Sequence, residues 1–112
     1  MTFRLSHIIY FTDNMDGMTV FYRDVLGLPV VKDEDGWREL DAGACRIALH
    51  AGAKGEPNGH TPKIAFHVDD VAAVRESLIT QGVPVGKLWV TPEITFCQGA
   101  DPDGNAFNIS SR

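Results

Sequence analysis

Seven polar side chains fall at strand spacing and could meet on one surface. In "ACRIALH" the alternation puts Arg46, Ala48 and His50 on one side. In "KIAFH" it does the same for Lys63, Ala65 and His67, "HIIYF" adds His7 and Ile9, and "AFNIS" adds Asn108 and Ser110. Histidine supplies a general base or a metal ligand near neutral pH. Lys63 is open to three readings: a strand residue snorkelling to water, an anion clamp, or a desolvated amine acting as base or nucleophile. Arg46 suits a carboxylate or phosphate, or else pairs with Asp41 or Glu39. Together His7, Arg46, His50, Lys63 and His67 would form a locally basic surface in an acidic chain. The ligand expected there is a small anionic organic molecule. Trp37 and Trp89 are read first as core or subunit-contact residues. Trp37, on the same strand as Glu39, is the better candidate to line a ligand.

These residues are positioned by a repeat. "HIIYFTDNMDGMTVFYRDVLGLPVV" (7–31) lies over "KIAFHVDDVAAVRESLITQGVPVG" (63–86), with Ile8 on Ile64, Tyr10 on Phe66 and Asp13 on Asp69, a period of 56 residues. Each half reads as strand, helix and three further strands. In the first half Asp13 is the expected helix N-cap, with Asp16 as its capping-box-like partner. Met18, Phe21, Tyr22 and Val25 then follow at helical spacing, and Gly27 ends the helix. In the second half Asp69 or Asp70 caps, Val71, Val74 and Leu78 form the stripe, and Gly82 stops it. The strands are "LPVVKDE", "GWRELDAG" and "ACRIALH", with counterparts "VPVGKLWV", "EITFCQGA" and "GNAFNISS". The fold expected is α+β: two paired βαβββ modules, about 3–50 and about 62–111, joined by a Gly/Pro-rich linker at about 51–61 that contains His60. A curved mixed sheet is expected to enclose a cleft, the whole forming a single domain over 1–112. Ile8, Tyr10, Ile47, Leu49, Ile64, Phe66, Phe107 and Ile109 should face the helices. "GADPDG" is read as a β-turn, because no phosphate-loop lysine or helix follows it.

Composition narrows the function classes. The chain has 112 residues, 44% hydrophobic and 22% charged, enough for one ordinary core. A net charge of −5 argues against nucleic acid as a partner, and no apolar run approaches the length of a membrane span. The start of the chain lacks the apolar core of a signal peptide, so a cytoplasmic location is expected. Cys45 and Cys97 are read as buried free thiols, with one inter-strand disulfide as the alternative.

The stretches "LSHIIYFTDNMDGMTVFYRDVLGLPV", "KIAFHVDDVAAV" and "DPDGNAFNI" resemble the vicinal oxygen chelate superfamily, which includes glyoxalase I, fosfomycin-resistance proteins, extradiol dioxygenases and bleomycin-resistance proteins. In its metalloenzymes, the resemblance implies, one divalent ion is held by the first and last strands of each module. The equivalent positions here are His7, Ala48, Lys63 and Asn108. Only His7 fits. Ala48 has no donor, Lys63 puts a cation where the ion would sit, and Asn108 is uncharged. No metal and no other cofactor is therefore expected at that place. A metal site shifted to His7, His50 and His67 would need two ligands displaced by about 6.6 Å along their strands.

Two function classes follow, with a ligand-free domain kept for assembly as a third against which the polarity of the face argues. The first is a small-molecule binder with a degenerate metal site. The second is a lyase, isomerase or dioxygenase with an atypical metal set, or a metal-free enzyme with His7 or Lys63 as base. Enzymatic activity is left open between them. Resemblance also implies a homodimer, with a small-molecule ligand as the other partner.

Overall fold

The computed structural model describes residues 6–52 and 64–112. Lys63 and most of the expected linker, His60 included, lie outside the described residues. The chain divides into two compact units, residues 1–55 and 56–112.

The first unit runs β1 (His7–Thr12), α1 (Met15–Val20), a wider π-type turn (Phe21–Val25), β2 (Val30–Glu34), β3 (Trp37–Asp41) and β4 (Arg46–Ala51). Its sheet has the order β1-β4-β3-β2, with β1 parallel to β4 and the other pairs antiparallel. The second unit repeats this as β5 (Ile64–His67), α2 (Val71–Thr80), β6 (Trp89–Val90), β7 (Thr95–Ala100) and β8 (Ala106–Ser110), in the order β5-β8-β7-β6. Both are βαβββ modules with a mixed sheet. The register bears out the alignment of the halves. Ile8 lies opposite Ile47 and Tyr10 opposite Leu49, as Ile64 lies opposite Phe107 and Phe66 opposite Ile109.

Each sheet buries one face because the side-chain period of a strand is two. In the first unit Tyr10, Leu40, Ile47 and Leu49 pack with Met18, Phe21 and Tyr22, all buried. The Tyr10 and Tyr22 rings stack at 6.3 Å. In the second, Phe107, Ile109 and Cys97 pack with Val71 and Leu78, and Phe66 meets Phe107 edge to face at 6.0 Å. Gly27 (φ 77°) and Gly82 (φ 79°) end the two helical segments in the left-handed region, as their positions in the repeat predict. Cys45 and Cys97 are free thiols. Cys45 is half-buried, and burial pushes the Cys97 thiol up.

The N-cap of α1 is Asn14, not Asp13. Asn14 Oδ1 accepts from the Gly17 N–H at 3.1 Å, so Asp16 has no capping-box partner in Asp13. Asp70, 56 residues on from Asn14, caps α2 by accepting from the Ala73 N–H at 3.0 Å. The repeat already pairs the two caps, and the error lay in starting the helix one residue early. Replacing Asn14 by alanine is expected to cost about 1 kcal/mol. Asp13→Ala should stay within about 0.5 kcal/mol of the parent. Urea midpoints of the two variants check the assignment, and equal losses would overturn it.

The turn between β7 and β8 is held by one carboxylate. Asp101 Oδ1 accepts from the N–H groups of Asp103 and Asn105, both at 2.9 Å, and Oδ2 accepts from Asn105 Nδ2 at 2.8 Å. All three residues are buried. This local network turns the chain back into β8 and so places Asn108 on the sheet.

Candidate functional site

The open face of the first sheet gathers most of the residues singled out from sequence. In register, His7 lies opposite Arg46, Ile9 opposite Ala48 and Phe11 opposite His50. From β3, Trp37 lies opposite His50, Glu39 opposite Ala48 and Asp41 opposite Arg46. Facing partners share a face, so β1, β4 and β3 present His7, Ile9, Phe11, Trp37, Glu39, Arg46 and His50 together.

Glu39 is the centre of this arrangement. Its side chain is only 6% exposed. It accepts from Arg46 Nη1 at 2.7 Å and His7 Nε2 at 3.0 Å on Oε1, and from Trp37 Nε1 at 2.7 Å on Oε2. The Arg46 bond, then those from Trp37 and His7, hold its carboxyl down at about 2, against the opposing effect of burial. Glu39 is therefore ionised across the working pH range. A fixed anion at Nε2 selects the ring form protonated there, leaving the Nδ1 lone pair of the neutral ring facing Ser6 Oγ at 2.9 Å.

In the first unit this carboxylate offsets part of the expected basic surface, whose Lys63 lies outside the described residues. Of the alternatives for Arg46, the pairing with Glu39 is the one the structure forms. Asp41 instead accepts from the Gly43 N–H at 2.8 Å. Lys32 and Glu34, on the same face by register, pair with each other at 3.4 Å. Among the described residues the first unit's polar face is thus charge-compensated rather than basic. Arg46 remains 48% exposed, and its Nε and Nη2 have no partner among the described residues.

A run of rings borders this group. His7 and Trp37 lie 6.2 Å apart, Trp37 and His50 5.6 Å, and His50 and Phe11 4.9 Å, each ring tilted by 55–84° from the next. Trp37 stands between the two histidines, so His7 and His50 do not converge on a common point. His50 Nδ1 is 3.0 Å from the Ala51 carbonyl oxygen. Ala48, fully buried, fills the space between Ile9 and Glu39 with a methyl group.

In the second unit Asn108 lies between Ala65 and Gln98. Its Oδ1 is buried with no hydrogen-bond partner among the described residues. His67 is exposed, with Nε2 3.2 Å from Asp69 Oδ1 and Nδ1 3.2 Å from the Arg112 carbonyl oxygen. Trp89 is half exposed, stacks on Phe96 and carries Lys87 Nζ 3.7 Å above its ring, so it is no core residue. An open cavity of about 590 Å³ beside the β2–β3 hairpin is lined by Asp33, Glu34, Asp35 and Arg38 among others. Arg38 is engaged by Thr19 and Asp33 there, and none of the expected site residues reaches it.

Sequence reasoning missed Glu39 and Phe11 as site residues. A signal for Glu39 was present, since a carboxylate two residues after Trp37 shares its face. What strand alternation could not supply was the lateral register that sets it against Ala48.

Two mixed βαβββ sheets, each with one apolar and one polar face, define a class of small α+β proteins built from a repeated module. The family model for the Glyoxalase/Bleomycin resistance protein/Dioxygenase superfamily matches residues 4–109, and the chain belongs to that superfamily. Among solved structures, it is similar to a fosfomycin resistance protein from Mesorhizobium loti (TM-score 0.82, 20% identity, covering 100% of this chain and 94% of that one). It is also similar to a lactoylglutathione lyase from Agrobacterium tumefaciens (TM-score 0.76, 21% identity, 97% and 93% covered). An integron cassette protein from the mobile metagenome of Vibrio cholerae is 26% identical (TM-score 0.74, 98% and 95% covered).

Proposed function

We propose that this chain is a glyoxalase/bleomycin-resistance-like protein that binds a small organic molecule, favouring one with an anionic or acceptor group, on the face carrying His7, Trp37, Arg46 and His50. The observation that carries the reading is Glu39, which fixes three donor side chains in place while leaving two guanidinium nitrogens of the half-exposed Arg46 without a partner among the described residues. Such a preset donor group costs little ordering on binding. Lys63, Ala48 and Asn108 remain proposed contributors to ligand binding by their positions in the family, and His67 by sharing a strand face with Lys63.

The residues present do not fit the family's divalent ion. Ala48 offers a buried methyl where a ligand atom is needed, and the Arg46 cation already shares the Glu39 oxygen that His7 meets. Among the described residues no group of three His, Cys, Asp or Glu is placed to hold a metal. The metal site is therefore proposed to be degenerate. Protein purified without chelator should carry far less than one equivalent of metal, and stoichiometric Ni, Fe, Zn or Mn would overturn this.

The binding reading is tested by a thermal-shift panel of carboxylates and phosphates on the parent, Arg46→Ala and Lys63→Ala proteins. At least one compound should raise the parent midpoint, with a smaller rise in Arg46→Ala. Equal shifts in parent and Arg46→Ala would sink it.

A second reading is favoured by one observation. With Nε2 held by Glu39, the Nδ1 lone pair of His7 is set to take a proton, which suits metal-free general-base catalysis in an enzyme of lyase or isomerase type. By resemblance the two modules are proposed to act as one domain over 1–112 and to form a homodimer. The free thiols Cys45 and Cys97 support a reducing, cytoplasmic setting, and no described helix is long and apolar enough to cross a membrane.

A further inference from the structure

We infer that Ser6 is an activated nucleophile that takes the acyl group of neutral carboxylic esters. His7 is its base, and Glu39 positions the base. The inference goes beyond the binding reading and needs none of it. With the second reading it shares only the free Nδ1 of His7.

The three side chains form one hydrogen-bonded row. Ser6 Oγ lies 2.9 Å from His7 Nδ1, and His7 Nε2 lies 3.0 Å from Glu39 Oε1. A nucleophile within reach of a base that a third group orients is the pattern of an activated serine. The carboxylate decides where the protons sit. Ionised Glu39 only accepts, so Nε2 carries the ring proton and Nδ1 is left to accept from the Ser6 hydroxyl. In the opposite tautomer the ring would turn a donor to Ser6, and nothing would draw the hydroxyl proton away.

The sheet holds each member. The Arg46 N–H donates to the Ser6 carbonyl at 2.9 Å, which fixes the serine just ahead of β1. Neighbours within a strand point to opposite faces, but Ser6 precedes the strand, so its hydroxyl is free to meet the next residue's ring. Trp37 and Arg46 hold the Glu39 side chain in turn. Ser6 is exposed and the His7 side chain is 28% exposed, against 6% for Glu39. The nucleophile meets solvent while its orienting carboxylate does not.

In the reaction Ser6 Oγ bonds to the ester carbonyl carbon as its proton passes to His7 Nδ1. The carbon–oxygen bond to the alcohol then breaks, and the leaving oxygen takes that proton from Nδ1. Acyl-Ser6 remains, and water activated by the same Nδ1 would release it as the carboxylic acid. Charge favours a neutral acyl donor. Among the described residues the face sets Arg46 and Lys32 against Glu39, Glu34 and Asp41, with no positive excess to draw an anion. A positioned base contributes about 10²–10⁴-fold to such a step. Because Arg46 shares Oε1 and weakens its hold on an imidazolium, the low end, about a hundredfold, is expected.

The test adds p-nitrophenyl acetate to the parent, Ser6→Ala, His7→Gln and Glu39→Gln proteins. Acetyl groups are mapped by peptide mass spectrometry while p-nitrophenol release is followed. Exposed Ser77, whose hydroxyl meets the Gln81 amide instead of a histidine, is the internal reference. In the parent Ser6 should acetylate about a hundredfold faster than Ser77, and in Glu39→Gln about tenfold more slowly than in the parent. His7→Gln should bring Ser6 down to the level of Ser77. Nitrogen NMR of the His7 ring separates positioning from a merely structural effect: the proton should sit on Nε2 in the parent and be shared between tautomers in Glu39→Gln. Equal acetylation of Ser6 and Ser77 overturns the inference, as does a parent ring protonated on Nδ1 alone. Acetyl on His7 rather than Ser6 makes the imidazole the nucleophile and overturns it too. If release continues in Ser6→Ala with no adduct anywhere, His7 acts on water directly, and the inference falls while the second reading stands.

Discussion

Phe107→Ala is expected to lose about 3–5 kcal/mol of stability. The ring is 1% exposed, contacts Phe66 edge to face and covers Gly99 so closely that a Cβ built there would lie 2.7 Å from Phe107 Cζ. Truncation opens a cavity that a backbone pinned by two neighbouring strands cannot collapse into. Against a total of roughly 5–15 kcal/mol for a protein of this kind, that loss is a large share. Gly99→Ala should also destabilise, by about 1–3 kcal/mol through overpacking against the same ring. Because the two changes act on one space, combining Gly99→Ala with Phe107→Ala should cost less than the sum. Chemical denaturation of the four proteins checks this, and strict additivity would show that ring and glycine do not share the space.

Glu39→Gln is expected to do most damage to the site. Glutamine keeps the shape but removes the charge that Arg46, Trp37 and His7 all address, and its NH₂ group cannot accept. Binding of any ligand that relies on the fixed Arg46 should weaken by about tenfold, since the guanidinium loses its anchor. Stability should respond to pH in a defined sense. Glu39 is depressed from 4.5 to about 2, so its ionised form favours the folded state. That contribution is complete above pH 4.5 and is lost as pH falls toward 2. The parent should therefore exceed Glu39→Gln in stability at neutral pH, with the gap closing between pH 4.5 and 2. Asp24, lowered by the exposed Arg23 ion pair, is common to both proteins and cancels in the comparison. Denaturation midpoints across that window measure the gap, and parallel curves would mean that Glu39 is not held as its hydrogen bonds imply.

The chain order of strands and helices was legible because it rests on local rules. Apolar alternation placed Ile8, Tyr10, Ile47 and Leu49 on one side, and the positive-φ glycines stopped both helices. The repeat went further, since it set "ACRIALH" against "GNAFNISS" before any register was known. Where a local rule had two nearby solutions, sequence chose wrongly. Asp13 and Asn14 both cap helices well, and only the hydrogen bond to Gly17 separates them.

Sequence by itself determined the superfamily resemblance, the two modules, and the sharing of one face by His7, Arg46, Ala48 and His50. The resemblance rests on the stretches it shares with that superfamily, while the modules and the shared face follow from strand spacing and from one half of the chain repeating the other. Tertiary structure alone decided the electrostatic character of that face. A charge is neutralised by whatever lies across the sheet, and the lateral register of β1, β4 and β3 set Glu39 among residues up to 32 positions away. Strand alternation says which way a side chain points but not what it meets. The surface that sequence alone read as basic is, for that reason, organised in its first unit around a buried carboxylate.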